Sequence, residues 1–154
     1  MISKRPAFSA ARNGLSLSLL LALGACASVP LTSVGEDEEA KRFDRPDQDR
    51  GALYIYRQGW MAVGKNVDVS IAGGARAELM PNTFMRLDGP PGPVEIACTA
   101  DNTDTRQIEI AAGQTRFVEV ALRPGWWGPQ CEVAEVPPDR GKAAVRGGKR
   151  VVAQ

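Results

Sequence analysis

Histidine is absent from this chain of 154 residues, and aromatic side chains make up only 6% of it. Histidine is the side chain most often used as a general base near neutral pH and as a nitrogen ligand for metals, so many enzyme and metal-site classes are disfavoured. An excess of one charge is also missing, since 19 Lys and Arg face 18 Asp and Glu. We therefore expect no cofactor, no metal and no nucleic-acid partner.

Catalytic motifs are missing as well. No serine lies in a Ser-x-x-Lys or Gly-x-Ser-x-Gly pattern. The segment from Gly59 to Lys65 partly matches a phosphate-binding loop, but Asn66 replaces the required Ser or Thr, and an alternating strand pattern follows instead of a helix. The sequence predicts a protein that is not an enzyme.

Long hydrophobic runs are absent except for Leu15–Leu23, which follows Lys4, Arg5 and Arg12 and is too short to span a bilayer. This arrangement is typical of an export signal over residues 1–25. The following Leu23-Gly24-Ala25-Cys26 resembles the lipobox of bacterial lipoproteins. That resemblance implies a mature chain beginning at an acylated Cys26, with the lipid bilayer as a partner and the cell envelope as its location. Ala27 is not the Asp that retains such proteins at the inner membrane of enteric-type bacteria, which favours an outer membrane, facing the periplasm.

Both ends of the mature chain are polar. Residues 26–50 contain the acidic run Glu36–Glu39 and predict a flexible linker with a root-mean-square reach of about 25 to 30 Å. A short helix over Glu36–Phe43 is the alternative. Residues 137–154 mix five bases with Gly and Ala and predict a disordered basic tail, either merely solvated or touching anionic lipid or polymer.

Between these ends, residues 51–136 form short β-rich runs separated by Gly, Pro, Asn and Asp about every ten residues. This spacing predicts an all-β domain, a small antiparallel β-sandwich of seven or eight strands. In the run from Ala52 to Arg57, Leu53 and Ile55 alternate with Tyr54 and Tyr56. Both faces of this strand are therefore expected to be covered. Asp101–Asp104 groups oxygen ligands of the kind that calcium prefers, but without the spacing of a known calcium loop, so a solvated turn is expected.

Two cysteines remain once Cys26 is assigned to lipid. Cys98 shares strand parity with Val94 and Ile96, and Cys131 shares it with Val133, so both sulfurs can point into the core. In an oxidising compartment this predicts a disulfide, whereas two buried free thiols are the alternative.

The candidate binding residues are aromatic. Trp126 and Trp127 lie in a Gly-Pro-flanked loop and Trp60 in another; they either close the core or contact a partner, ligand or membrane. Tyr54, Tyr56 and Arg57 form a recognition stripe if their strand is at an edge, and pack in the core otherwise.

One ordered set of features resembles a bacterial family, the domain of unknown function 2846. The set comprises Leu53–Arg57, Val67–Ile71, Gly73-Gly74, Phe84, the Gly89–Gly92 connection and Ala112-Gly113. The resemblance implies a β-sandwich on an envelope lipoprotein with no assigned activity. We expect a membrane-anchored, non-catalytic binding or structural module that engages an envelope protein; a periplasmic module for a small ligand or glycan is the alternative.

Overall fold

The computed structural model describes residues 29–59, 65–72 and 74–154. Its helices and strands follow one another in this order: α1 Val34–Ala40, β1 Gly51–Arg57, β2 Val67–Ile71, β3 Arg76–Leu79, β4 Thr83–Gly89, β5 Gly92–Thr99, β6 Thr103–Ile110, β7 Thr115–Pro124, β8 Pro129–Val136, α2 Pro138–Gly147 and β9 Lys149–Arg150. One sheet has the order β8-β7-β1-β4-β9 and the other β3-β2-β5-β6. The prediction of two packed β-sheets is confirmed.

The predicted all-antiparallel arrangement is wrong, because β1 pairs in parallel with β7, and β4 in parallel with β9. Parallel neighbours need a crossover connection. Between β1 and β7 the chain builds the second sheet, adding β2 and β3 before β4, and β5 and β6 after it. The ninth strand, β9, lies outside the predicted range of the domain and adds to the eight strands within residues 51–136.

Strand β1 is buried on both faces, as its sequence predicts. Leu53 and Ile55 face the other sheet and join the main core between the two sheets. Tyr54 and Tyr56 face the opposite way, into a second core beneath the helices. The Tyr54 ring stacks on Phe117 with centroids 5.0 Å apart, and its hydroxyl donates a hydrogen bond of 2.7 Å to the Ala40 carbonyl.

The predicted flexible linker is wrong for its described part, residues 29–50. Ser33 and Glu36 form a capping box that begins α1. The acidic run is tolerated because Asp37 accepts hydrogen bonds from the Lys41 ammonium (2.6 Å) and the Arg150 amide (2.7 Å). Burial of Asp37 disfavours its charged form, but these bonds outweigh that cost and lower its pKa.

The predicted disordered tail is also wrong. Residues 138–147 form α2, which begins with proline in its first turn and buries Gly141, Ala144 and Val145 against the outer face of the larger sheet. These three residues have the i, i+3, i+4 spacing of a helix face. Because they are small and lie among basic residues, the sequence does not show this face as hydrophobic. A methyl group on Gly141 would lie 2.3 Å from Cγ of Phe117, so the missing side chain permits the close packing of α2 on β7.

Both long sides of the sandwich are closed. On one side the predicted disulfide joins Cys98 of β5 to Cys131 of β8, with Cα atoms 6.2 Å apart. On the other side the C-terminal residues pass from the edge of β4 to the edge of β3, where the backbones of Gln154 and Arg76 exchange hydrogen bonds of 2.8 and 3.0 Å. The closed sides hold the two sheets in a fixed register.

Replacing both bridging cysteines with alanine should lower the free energy of unfolding by about 3 to 4 kcal/mol, because the bridge closes a loop of 33 residues in the unfolded chain. Chemical denaturation with and without reductant measures the effect. Reductant should destabilise the wild type and leave the double variant unchanged. Equal stability of the oxidised wild type and the variant would contradict the role of the bridge.

Two glycines in α2 give a matched test of its packing. Gly141→Ala should destabilise the protein by about 1 to 3 kcal/mol because the methyl group overlaps Phe117. Gly147→Ala has nothing within 4 Å of the added carbon and should be neutral or stabilise by up to about 1 kcal/mol. Thermal unfolding of both variants decides the matter. The same small effect in both would mean that α2 is not docked on β7.

Candidate binding surface

Four connections meet at one end of the sandwich, which we call the Trp end. They are the β1–β2 connection, described at residues 58–59 and 65–66, and the β3–β4, β5–β6 and β7–β8 connections, residues 80–82, 100–102 and 125–128. The parallel pairing of β1 with β7 brings the ends of these two strands to the same side. Residues 60–64 of the first connection, including the candidate Trp60, lie outside the described residues.

The β7–β8 connection, residues 125–128, carries the two most exposed aromatic side chains of the described chain. Trp126 and Trp127 are 90% and 94% exposed. The interpretation in which they close the core is therefore wrong, and the main core is complete without them. The two indoles therefore present a large amphipathic surface to solvent. Tryptophan is one of the residues enriched at binding hot spots.

Two glycines shape the β7–β8 connection, residues 125–128, which we call the Trp loop. A Cβ on Gly125 would lie 2.4 Å from the Gly128 carbonyl oxygen, so the loop closes tightly on itself. A side chain on Gly128 would collide with the Asp101 carboxylate of the β5–β6 turn. The backbone therefore packs inward against the neighbouring turn, while the two indoles between the glycines project outward.

The oxygen-rich turn at 101–104 fixes the base of the Trp loop. The Asn102 side chain accepts a hydrogen bond of 2.7 Å from the Cys131 amide and donates one of 3.1 Å to the Cys131 carbonyl. Asp104 accepts another, of 2.8 Å, from the Val133 amide. These side chains bind three backbone groups at the free edge of β8, which would otherwise be open to pairing with another chain. The Asp101 carboxylate is 3.1 Å from the Lys65 ammonium.

The second group of candidate binding residues, Tyr54, Tyr56 and Arg57, does not lie on the surface of the protein. Tyr54 and Tyr56 are each 1% exposed and Arg57 is 2% exposed, so the recognition stripe is wrong and the core-packing alternative is correct. The Arg57 guanidinium donates hydrogen bonds to the carbonyls of Leu79 (3.0 Å) and Lys65. Its burial lowers the pKa of Arg57. Arg57 therefore ties the β1–β2 connection to the end of β3 and helps to fix the Trp end.

Three further exposed apolar side chains lie at the β9 edge of the larger sheet, and sequence reasoning missed them. Leu31, Val34 and Val152 are 52%, 74% and 41% exposed. Leu31 pairs with Val151, which brings residues 30–32 beside residues 150–152. Both segments are predicted as linker or tail, and no sequence pattern indicates that they pair.

An apolar groove of about 400 Å³ opens at the end opposite the Trp end. Its walls come from both sheets, through Leu53, Ile71, Leu87, Val94 and Ile110, and the Pro90-Pro91 connection forms its rim. Among its described lining residues Asp88 supplies the charged side chain, and the rest of the lining is apolar or glycine.

Neither a metal cluster nor a membrane-spanning helix is present in the parts of the chain that the structure describes. No three Asp, Glu or Cys side chains there are close enough to share a metal ion. No helix there has the length and hydrophobicity needed to cross a bilayer. Cys26 lies outside those residues.

Comparison with known proteins finds a relative of unassigned function. An uncharacterized protein of Haemophilus influenzae is 28% identical over 131 residues, which cover 84% of this chain and 77% of the relative. No family model matches the chain. The aligned length exceeds the sandwich alone, so the similarity extends into at least one of its flanking segments.

Replacing Trp126 and Trp127 together with alanine should change the free energy of unfolding by less than about 0.5 kcal/mol, because both side chains are exposed. Phe117→Ala should cost about 3 to 5 kcal/mol, since that ring is buried and stacks on Tyr54. Urea unfolding of both variants provides the comparison. A loss in the tryptophan variant approaching that of Phe117→Ala would show that the indoles belong to the core.

Proposed function

We propose that this chain is a lipid-anchored protein of the cell envelope whose sandwich acts as a non-catalytic docking module, with the Trp loop as its contact for a protein partner. The exposed Trp126-Trp127 pair, at 90% and 94% exposure, is the observation that carries the proposal. Burying two indoles yields far more binding free energy than the cost of ordering a loop that is already fixed at its base.

The immobilised base of the Trp loop supports binding by a preformed surface. Asn102 bonds to both backbone groups of Cys131, and the disulfide fixes Cys131 to the opposite sheet. A partner therefore meets a surface that loses little backbone entropy on binding. The rim carries the Arg123–Glu132 pair (2.7 Å) and the Lys65–Asp101 pair (3.1 Å). Exposed pairs of this kind contribute orientation more than affinity.

The anchor is the second part of the proposal. Acylation of Cys26, inferred from the lipobox resemblance, would hold the domain at a membrane, and Ala27 favours the periplasmic face of the outer membrane. Each buried acyl methylene contributes about 0.8 kcal/mol, so two or more chains give stable attachment. The module would then act by being positioned, without covalent chemistry of its own.

Photo-crosslinking in living cells tests the docking role. A photoreactive amino acid in place of Trp127 should give one discrete protein adduct. The same group in place of Glu109, an exposed residue on the outer face of β6, should give none. Trp126→Ala with Trp127→Ala should also abolish capture of that adduct partner in pull-downs, while the Phe pair should retain part of it. Equal labelling from positions 127 and 109 would contradict the proposal. So would pull-down of the partner by the double alanine variant at the wild-type level.

A small apolar ligand is the second candidate function, and the groove of about 400 Å³ is the observation that favours it. A ligand held there should raise the melting temperature of the purified protein without any partner. Leu87→Gln should remove that shift, whereas Trp126→Ala with Trp127→Ala should leave it unchanged. A shift that depends on the tryptophans would instead place ligand binding, glycan included, at the Trp loop.

A further inference from the structure

The exposed large apolar side chains of the described residues occur at only two places. Trp126 and Trp127 lie at one, and Leu31, Val34 and Val152 lie at the other, along the β9 edge of the larger sheet. Other large apolar residues in the described ranges are buried or half-buried. Exposed apolar groups that are concentrated in this way mark candidate contact surfaces with a protein or a membrane.

The second group lies on a wall of the sandwich made of residues 29–34 and 149–154, which we call the anchor wall. Its two segments run antiparallel, with the Thr32 amide 3.0 Å from the Arg150 carbonyl and the Val152 amide 2.9 Å from the Pro30 carbonyl. The inward residues Val29 and Val151, 6% and 2% exposed, belong to the main core. The wall is therefore a fixed part of the domain and not a loose arm.

Chain length limits how far this wall can stand from a membrane anchor. Val29 is the third residue after Cys26. Three residues span at most about 10 Å when fully extended. If the acyl chains of Cys26 lie in the hydrocarbon layer, most of that length is used in crossing a headgroup layer about 5 to 8 Å thick.

The charges beside the patch are mixed. Lys149 and Arg150 supply positive charge, whereas Glu36 and Glu38 at the start of α1 are exposed and negative. The Arg150 guanidinium donates a hydrogen bond of 3.3 Å to the Glu36 carbonyl. Attraction between this wall and a bilayer therefore depends on apolar side chains and on the short tether, more than on net charge.

We propose that the anchor wall rests on the bilayer, with Leu31 and Val34 in the headgroup layer, so that the Trp loop is held off the membrane at the opposite edge of the larger sheet. This inference rests on the proposed acylation of Cys26. In the order β8-β7-β1-β4-β9 the Trp loop, between β7 and β8, lies three to four strands from the anchor wall. At about 4.8 Å per strand the separation across the sheet is about 14 to 19 Å. The tether thereby sets the distance at which the indoles are held from the bilayer.

Quenching of tryptophan fluorescence by brominated lipids tests this orientation on the full, acylated protein in phosphatidylethanolamine–phosphatidylglycerol vesicles. The first reporter carries Val34→Trp with Trp60, Trp126 and Trp127 changed to Phe. Val34 is 74% exposed, so the substitution should leave the fold intact, which thermal unfolding checks. The matched reporter carries only Trp60→Phe and retains both native indoles of the Trp loop.

The first reporter should lose most of its emission in brominated vesicles, at low and at high salt, while the second should keep its emission. Quenching of the Trp-loop reporter, alone or together with the first, would overturn the orientation. Absence of quenching in both, with the protein bound to vesicles and acylation confirmed by mass spectrometry, would show that the domain stands away from the bilayer. An unacylated Cys26 in protein that does not bind vesicles would instead refute the proposed anchor itself, and with it the orientation.

Discussion

Strand β1 is buried on both faces, and this burial requires a third layer in addition to the two sheets. A strand with Leu53 and Ile55 on one side and Tyr54 and Tyr56 on the other cannot be covered by a two-layer sandwich alone, because one of its faces would remain in water. The chain supplies the third layer from its ends: α1 and α2 cover the outer face of the larger sheet. The segments before and after residues 51–136 are therefore parts of the fold, and removing either would expose aromatic rings.

Closing the sandwich on its two long sides has a functional consequence. On the β8 side, the disulfide and the Asn102 bonds to Cys131 fix the base of the Trp loop. On the β9 side, the antiparallel segments of the anchor wall fix the point where the chain enters the domain. The proposed anchor and the proposed binding loop are thus held at opposite edges of the larger sheet. A rigid domain between them is suited to presenting a surface in one direction.

The sequence predicted the structure correctly where the alternation of residues along a single strand determines which side chains are buried. Alternation placed Val67 and Val69 in the core, and parity with neighbouring apolar residues indicated the Cys98–Cys131 bridge. It failed where tertiary contacts override composition. Asp37 is acidic yet buried, because it binds Lys41 at the end of the same helix and also the Arg150 amide, which comes from the far end of the chain. The face formed by Gly141, Ala144 and Val145 is too small to register as hydrophobic, although it fits closely against Phe117. The exposure of Trp126 and Trp127 could not be distinguished from core closure without knowing that the core is already full.

The proposed function requires that this sandwich acts at a membrane surface through fatty chains on Cys26. Mass spectrometry of the amino-terminal peptide, from protein extracted from the membranes of its native cells, tests this requirement. The peptide should begin at Cys26 and carry a diacylglycerol on the thiol and a further acyl chain on the amine. A peptide that begins at Met1, or at an unmodified cysteine in protein recovered from the soluble fraction, would contradict it.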